Sequence, residues 1–344
     1  MTGRQKMNRI TKGALIGSGA IAGLAVVSGL VQTGMSHSLI RIAFERNLPF
    51  TPGIRTKKLF SGCRDMEKIE KLCQESASVL EGGDCRTVIL KNRHSEKLVG
   101  HLHICDSPER TIIAMHGWRT TWARDFGTVS KFWHSNGCNV LYAEQRGQNN
   151  SEGRCIGFGV NERYDCLDWI EWLNRNDSLS RLPIYLCGIS MGASTVLMAT
   201  GLDLPKNVAG VIADCGFTSP HDVFKHVINK NLHFPYAAST RNKIDKICRR
   251  RLGFDPHSYS TVEALSHCKI PVMLVHGGSD RFVPVEMSYD NFRICVAPKR
   301  MFVVPAADHG MCYYTDPQGY QREMLKFFSD CEGTRDAGTR FVAF

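Results

Sequence analysis

Five residues near the middle of the chain, Gly188-Ile189-Ser190-Met191-Gly192, restrict what it can fold into more than any other stretch. They stand between an apolar run with strand character, residues 183–187, and a run with helical character that begins at Met191. A chain that passes from strand to helix with no intervening loop must turn sharply at one strained residue. Glycines on either side keep neighbouring side chains out of that turn. The turn lifts the serine hydroxyl clear of the sheet, so the spacing predicts Ser190 as a nucleophile at a strand's carboxyl end.

From about residue 86 onward, strand-like and helix-like patterns alternate, which predicts a largely parallel sheet covered by helices. The strand-like runs are residues 87–91, 98–104, 111–115, 140–143, 184–187, 208–213, 272–275 and 302–304. Helical spacing falls at 162–174, 191–200 and 317–328, the last opened by Asp316 as N-cap and Pro317 at the first helical position. The expected fold class is therefore α/β: a mostly parallel eight-stranded sheet flanked by helices, with a helical insertion at about 217–267.

A serine hydroxyl needs a base to become a nucleophile and an acid to orient that base. Downstream, the strand at 271–275 runs into His276-Gly277-Gly278-Ser279-Asp280, and the strand at 301–304 runs into Pro305-Ala306-Ala307-Asp308-His309-Gly310. Ser190, Asp280 and His309 thus lie just beyond three strand ends, in the chain order Ser, Asp, His. Asp214, which ends the strand at 208–213, competes with Asp280 for the acid's place. Asp308 is expected to point away from the imidazole next to it. An oxyanion hole requires two backbone N–H groups; Met191, following the nucleophile, and Trp118, in the loop His116-Gly117-Trp118-Arg119, are the expected donors, with Gly117 leaving room for substrate. His116 and His276 open glycine loops and are expected to make local hydrogen bonds. His101 and His103 alternate on one strand face, but no third residue with metal-site spacing accompanies them.

With these motifs in place, the segment from about Ser76 to Ser329 resembles an α/β-hydrolase. The resemblance rests on His116-Gly117-Trp118, on Arg146-Gly147-Gln148-Asn149-Asn150-Ser151, on the Gly188–Gly192 pentapeptide, on Gly278-Ser279-Asp280 and on Asp308-His309-Gly310. The second of these is similar to the family's R-G-x-G-x-S loop, with Asn149 replacing a glycine. Bacterial membrane-anchored serine hydrolases, related to esterases and serine aminopeptidases, share these features. They imply the fold and the Ser-Asp-His set, a helical cap over the site, and a small-molecule ester or amide as substrate, while fixing no particular compound. Some related enzymes draw the acid from the earlier strand, which keeps Asp214 in play.

Charge decides against a nucleic-acid partner. The 344 residues carry 43 Lys and Arg against 33 Asp and Glu, but the excess is not spread over a folded face. Nine basic residues and one acid, Glu45, fall within residues 1–58 around an apolar stretch, residues 13–31. Nineteen helical residues reach about 28 Å, close to the thickness of a bilayer core. Arg4, Lys6, Arg9 and Lys12 precede the stretch, so the expectation is a membrane anchor with a cytoplasmic N-terminus and the catalytic domain outside, or a secreted protein if the segment is a cleaved signal. A second basic cluster, eight Lys and Arg against Asp222 and Asp245 in residues 221–251, lies in the presumed cap and suits a solvated face, an anionic substrate or an anionic membrane surface. The fourteen cysteines do not resemble a disulfide framework and read as buried thiols.

The domain expectation is an anchor at 1–31, a connector with one helix at 32–85, the hydrolase domain at 86–330 and a loose tail at 331–344. The function expected is carboxylic ester hydrolysis through an acyl-enzyme, without cofactor or metal. An aminopeptidase-like amidase, an acyltransferase and a non-catalytic binding protein are the alternatives.

Overall fold

The structure, a computed structural model, describes residues 41–46 and 66–337. The apolar stretch 13–31 lies outside the described residues; among those described, no helix is long and apolar enough to cross a membrane.

Eight strands form one sheet: β1 (Cys85–Lys91), β2 (Lys97–His103), β3 (Arg110–Met115), β4 (Cys138–Ala143), β5 (Ile184–Ile189), β6 (Val208–Asp214), β7 (Val272–Gly277) and β8 (Lys299–Val304), in the order β1-β2-β4-β3-β5-β6-β7-β8. The sheet is mixed. Strands β3 to β8 are parallel, whereas β2 runs antiparallel to both β1 and β4. The reason is the connection: β1 and β2 are joined by a turn in which Asn92 accepts the amides of His94 and Glu96 through its side chain, and a connection that short cannot cross the sheet to make a parallel pair. The parallel strands β3 to β7 are buried on both faces and contain no alternation of apolar and polar residues, as expected where helices cover both sides.

The helices are α1 (Met66–Glu81), α2 (Trp122–Ser135), α3 (Glu162–Asn174), α4 (Met191–Ala199), α5 (Pro220–His226), α6 (Ala238–Ile247), α7 (Thr261–Leu265), α8 (Val285–Ile294), α9 (Cys312–Thr315) and α10 (Pro317–Ala337). Helices α2 and α8 were not evident from the sequence pattern. In α2, Thr121 caps the N-terminus by accepting the Arg124 amide, and Trp122, Phe126, Val129 and Trp133 line the buried face. One face of the sheet packs on α3 and α4 through Trp169, Ile170, Leu173 and Val196, and the other on α2 and α10 through Phe126, Trp133, Phe327 and Phe328.

A third apolar cluster sits beyond the carboxyl ends of the strands, under the segment between β6 and β7. That segment contains α5 and α6, each continued by a π-helical turn, Val227–Asn231 and Cys248–Leu252. Its two ends meet where the Thr261 amide donates to the Thr218 carbonyl at 2.9 Å. Of the basic residues here, Arg249 is paired with Asp255 at 2.8 Å, and Lys246, Arg249 and Arg250 flank an open surface pocket of about 300 Å³ together with Asn242 and Asp245.

The carboxyl end differs from expectation. Residues 331–337 are not a loose tail but the last turns of α10, which Asp316 opens by accepting the Gly319 amide. Cys331 is buried, and the Glu332 carboxylate forms a two-pronged bond with the buried Arg110 guanidinium, at 2.8 and 3.1 Å, and accepts the Tyr185 hydroxyl. Removing one partner of such a pair leaves a desolvated charge behind. Glu332→Gln is expected to lower stability by about 1–3 kcal/mol, read as a shift in the urea midpoint; an unchanged midpoint would show that this end of α10 contributes nothing.

Candidate active site

The turn predicted at Gly188–Gly192 is present. Ser190 sits at φ 56°, ψ −116°, between β5 and α4. Both glycines are required by space. A Cβ on Gly188 would lie 2.2 Å from the Gly192 carbonyl, and one on Gly192 would lie 1.8 Å from the Met115 carbonyl oxygen in the neighbouring strand. The Ser190 amide donates to the Asp214 carbonyl at 2.8 Å, tying the turn to β6.

The structure brings Ser190, His309 and Asp280 together. Ser190 Oγ lies 2.8 Å from His309 Nε2, and His309 Nδ1 lies 2.7 Å from Asp280 Oδ2. Because β5, β6, β7 and β8 are consecutive and parallel, the loops at their carboxyl ends are neighbours, and residues far apart in sequence converge there. The other carboxylate oxygen, Asp280 Oδ1, accepts the amides of Phe282 and Val283, both at 2.9 Å. His276, a residue assigned only a local role from sequence, lies 3.2 Å from Asp280 Oδ2 through Nε2, and bonds Val283 and Ser288 as well. It braces the acid from behind.

Burial opposes the charge on Asp280, but the neighbouring His309 and the bonds from both histidines outweigh it and hold the carboxyl well below the usual range. Burial likewise opposes protonation of His309, yet the Asp280 carboxylate beside it raises the imidazole above its ordinary value. The competitor Asp214 is not bonded to the imidazole. It is buried, its thiol partner is Cys312, and burial pushes its carboxyl up to about 6. Asp308 turns its carboxylate onto the amide of His309 at 2.8 Å and takes no part in holding the ring.

On the oxyanion side, the loop after β3 runs alongside the serine: a Cβ on Gly117 would stand 3.4 Å from Ser190 Cβ. The amides flanking Trp118 are committed, that of Gly117 to Asp125 Oδ2 at 2.7 Å and that of Arg119 to Gln148 Oε1 at 2.6 Å. Asp125, half-buried, also accepts the Thr120 hydroxyl, so one carboxylate sets the shape of this loop. Met191 N–H, at the first position of α4, has no partner inside the helix. Asn149 replaces the glycine of the resembling motif at φ 49°, a left-handed conformation that asparagine tolerates, and its side-chain amide donates to the Thr120 carbonyl. His116 bonds the Gly117 carbonyl and the Gln145 amide, a local role as expected. His101 bonds Glu144 and stacks on Trp122, while His103 stacks on His134.

Residues 41–46 supply a feature that no motif announced. Phe44 is buried among the rings of Phe158, Phe224 and Phe254, with centroids 4.9 to 5.4 Å away. The backbone around it receives the oxyanion-side loop: the Trp118 indole donates to the Ala43 carbonyl at 2.8 Å, and the Arg119 guanidinium donates to the carbonyls of Ile42 and Glu45. This strap fixes Trp118 and Arg119 from behind.

Two outcomes follow from this geometry. For any reaction in which Ser190 gives its proton to His309 the imidazole must be neutral, so kcat/KM is expected to rise with pH through an inflection above the ordinary histidine value of about 6.5. Asp280→Asn should move that inflection down and lower kcat by on the order of 10³–10⁴-fold; an unmoved inflection would separate Asp280 from the titrating group. Arg119→Ala, which frees two strap carbonyls, should reduce kcat by about tenfold with little change in KM, because the loop loses its fixed position without losing substrate contacts. A change confined to KM would contradict that role.

Known proteins share this architecture. The prolyl oligopeptidase family model matches residues 124–335. The Bacillus subtilis protein YqkD is 24% identical over 230 residues, which span 67% of this chain and 74% of that protein. Among solved structures, the Pyrococcus furiosus esterase Pf2001 superposes with a TM-score of 0.60 at 20% identity, covering 83% of this chain and 97% of the esterase. The Pyrococcus horikoshii acylaminoacyl peptidase superposes with a TM-score of 0.54 at 16% identity, over 74% of this chain and 43% of the peptidase. At these identities the superpositions speak for the fold, and the family match, which spans more than half of the sequence, goes further: this chain is an α/β-hydrolase that belongs to the prolyl oligopeptidase family.

Proposed function

We propose that the chain cleaves carboxylic esters through an acyl-enzyme, with Ser190 as nucleophile, His309 as the proton carrier, Asp280 as the orienting acid, and the Trp118 and Met191 amides as oxyanion donors. The observation that carries this reading is the continuous relay of hydrogen bonds from Ser190 Oγ through His309 to Asp280, at 2.8 and 2.7 Å. Ser190 Oγ attacks the ester carbonyl as His309 Nε2 takes its proton. Asp280 holds the ring in the Nδ1–H tautomer and stabilises the imidazolium that forms. The proton then passes from Nε2 to the departing alcohol, and a water activated by the same nitrogen releases the acid. Negative charge on the carbonyl oxygen develops at the amino end of α4, where the helix dipole favours it.

Apolar walls suit an acyl chain. Phe282 meets the His309 ring edge-on at 5.0 Å, and Phe158, Phe217, Met191 and Val283 belong to the cluster beneath the α5–α6 segment. The second reading is a peptidase, favoured by the family's name and by the acylaminoacyl peptidase among its structural neighbours.

The test is direct. Wild-type protein should label with a fluorophosphonate probe and hydrolyse p-nitrophenyl esters, and Ser190→Ala should lose both, the hydrolysis by on the order of 10⁶-fold. Retained turnover in that variant would sink the serine mechanism. Faster turnover of aminoacyl p-nitroanilides than of esters, with labelling intact, would instead select the peptidase.

A further inference from the structure

Cys215 is the residue next to this relay that the reaction leaves without a role. It follows β6 in a left-handed conformation, φ 51°, is fully buried, and donates its amide to the Val275 carbonyl at 2.9 Å. Its Sγ, a carboxylate oxygen of Asp280 and a ring nitrogen of His309 all lie within 4.8 Å of one another. Sulfur, imidazole and carboxylate are the ligand set of zinc-type cations, and in a tetrahedral site their donor atoms stand roughly 3.3–3.6 Å apart, given metal–ligand bonds of about 2.0–2.3 Å. The three groups are therefore within small movements of a coordination shell. A second observation points the same way. Asp214, adjacent to Cys215 and 2% exposed, has an Oδ1 with no hydrogen-bond partner among the described residues, and it lies close enough to His309 and Asp280 to act on both electrostatically.

We propose that Cys215, Asp280 and His309 form an inhibitory site for a soft divalent cation, Zn²⁺ or Cd²⁺, which switches the hydrolase off. The inference deepens the serine hydrolase reading and rests on it. The step balances without any redox change. The Cys215 thiol loses its proton to solvent and its sulfur bonds the metal; Asp280 contributes a carboxylate oxygen; His309 binds through Nδ1, the nitrogen that faces Asp280. A neutral imidazole carries one N–H, so metal on Nδ1 leaves that proton on Nε2. Nε2 is the atom that must accept the proton of Ser190, and in this tautomer it cannot. Thiolate and carboxylate together neutralise the dication, which suits a buried site.

The experiment titrates full-length protein with Zn²⁺, Cd²⁺ and Mg²⁺ while following p-nitrophenyl ester hydrolysis, for wild type, Cys215→Ala and Cys215→Ser. Zinc and cadmium should inhibit wild type, a chelator should restore activity, and magnesium, which prefers six oxygen ligands, should have no effect. Both cysteine variants should keep their activity in metal-free buffer and need at least about tenfold more zinc for half-inhibition, the loss expected for a missing thiolate ligand. Equal zinc sensitivity in wild type and both variants would overturn the site. Should the protein prove to have no hydrolase activity and no fluorophosphonate labelling, the serine hydrolase reading fails by itself, and equilibrium dialysis with Cd²⁺ decides the site: one equivalent fewer bound by Cys215→Ala supports it, and equal binding refutes it.

Discussion

The close approach of Gly192 to the Met115 carbonyl is the constraint on which the rest of the site depends. With 1.8 Å between that oxygen and any Cβ at position 192, helix α4 can start directly over β3 only if the residue there is glycine. That contact sets the angle between β5 and α4, forces Ser190 to φ 56°, and delivers its hydroxyl to the edge where β6, β7 and β8 also end. Strain at one residue is tolerated because the surroundings over-determine it: the Ser190 amide is held by β6, and the Ser194 amide closes the first turn of the helix on the Ser190 carbonyl.

Carboxylates withdrawn wholly or partly from solvent hold the loops around this point. Asp125 gathers the Gly117 amide and the Thr120 hydroxyl; Glu144 takes the Asn150 amide; Glu162 takes the amides of Gly157 and Gly159; Asp165 meets Arg146 and Asn92; Asp280 takes the amides of Phe282 and Val283. An ionised acid inside a protein is tolerable only when donors surround it, so each of these loops has little freedom to reshape without stranding a charge. In two of them the other oxygen faces an imidazole, Glu144 toward His101 and Asp280 toward His309, and of these two rings His309 is the one bonded to Ser190. The same device that fixes the other loops thereby also sets the tautomer and basicity of His309, and structural rigidity and acid–base chemistry draw on one pattern.

The strap at residues 41–46 and the α5–α6 segment share one apolar interior. Phe44 packs on Phe224 from that segment and on Phe158 from the loop before α3, while the carbonyls beside it hold Trp118 and Arg119. A side chain remote in sequence from the pentapeptide therefore connects the covering helices to the oxyanion-side loop. Phe44 and the carbonyls that Arg119 holds belong to the same short strap, so the ring cluster and the Arg119 bonds fix one piece of backbone.

Much of this was legible in the linear order of residues. Glycines at 188 and 192 are dictated by local sterics, and the buried strands β3 to β7 announce themselves as apolar runs, because both signals depend on a few neighbouring residues. The chain order of Ser190, Asp280 and His309 past strand ends was legible for the same reason. The mostly parallel sheet was legible but not its antiparallel start, because the Asn92 turn is recognised by side-chain hydrogen bonds rather than by periodicity, and the end of α10 was not, because Glu332 is held by Arg110 and Tyr185, more than a hundred residues away. Only tertiary structure could decide that His309 bonds Asp280 and not Asp214, that His276 braces the acid, that Asp125 shapes the oxyanion-side loop, and that Cys215 lies against the relay. Local sequence determines which backbone conformations are possible and which groups carry chemistry; which of those groups meet is set by strand order, because adjacency in a parallel sheet is a property of the assembled layer and not of any single segment.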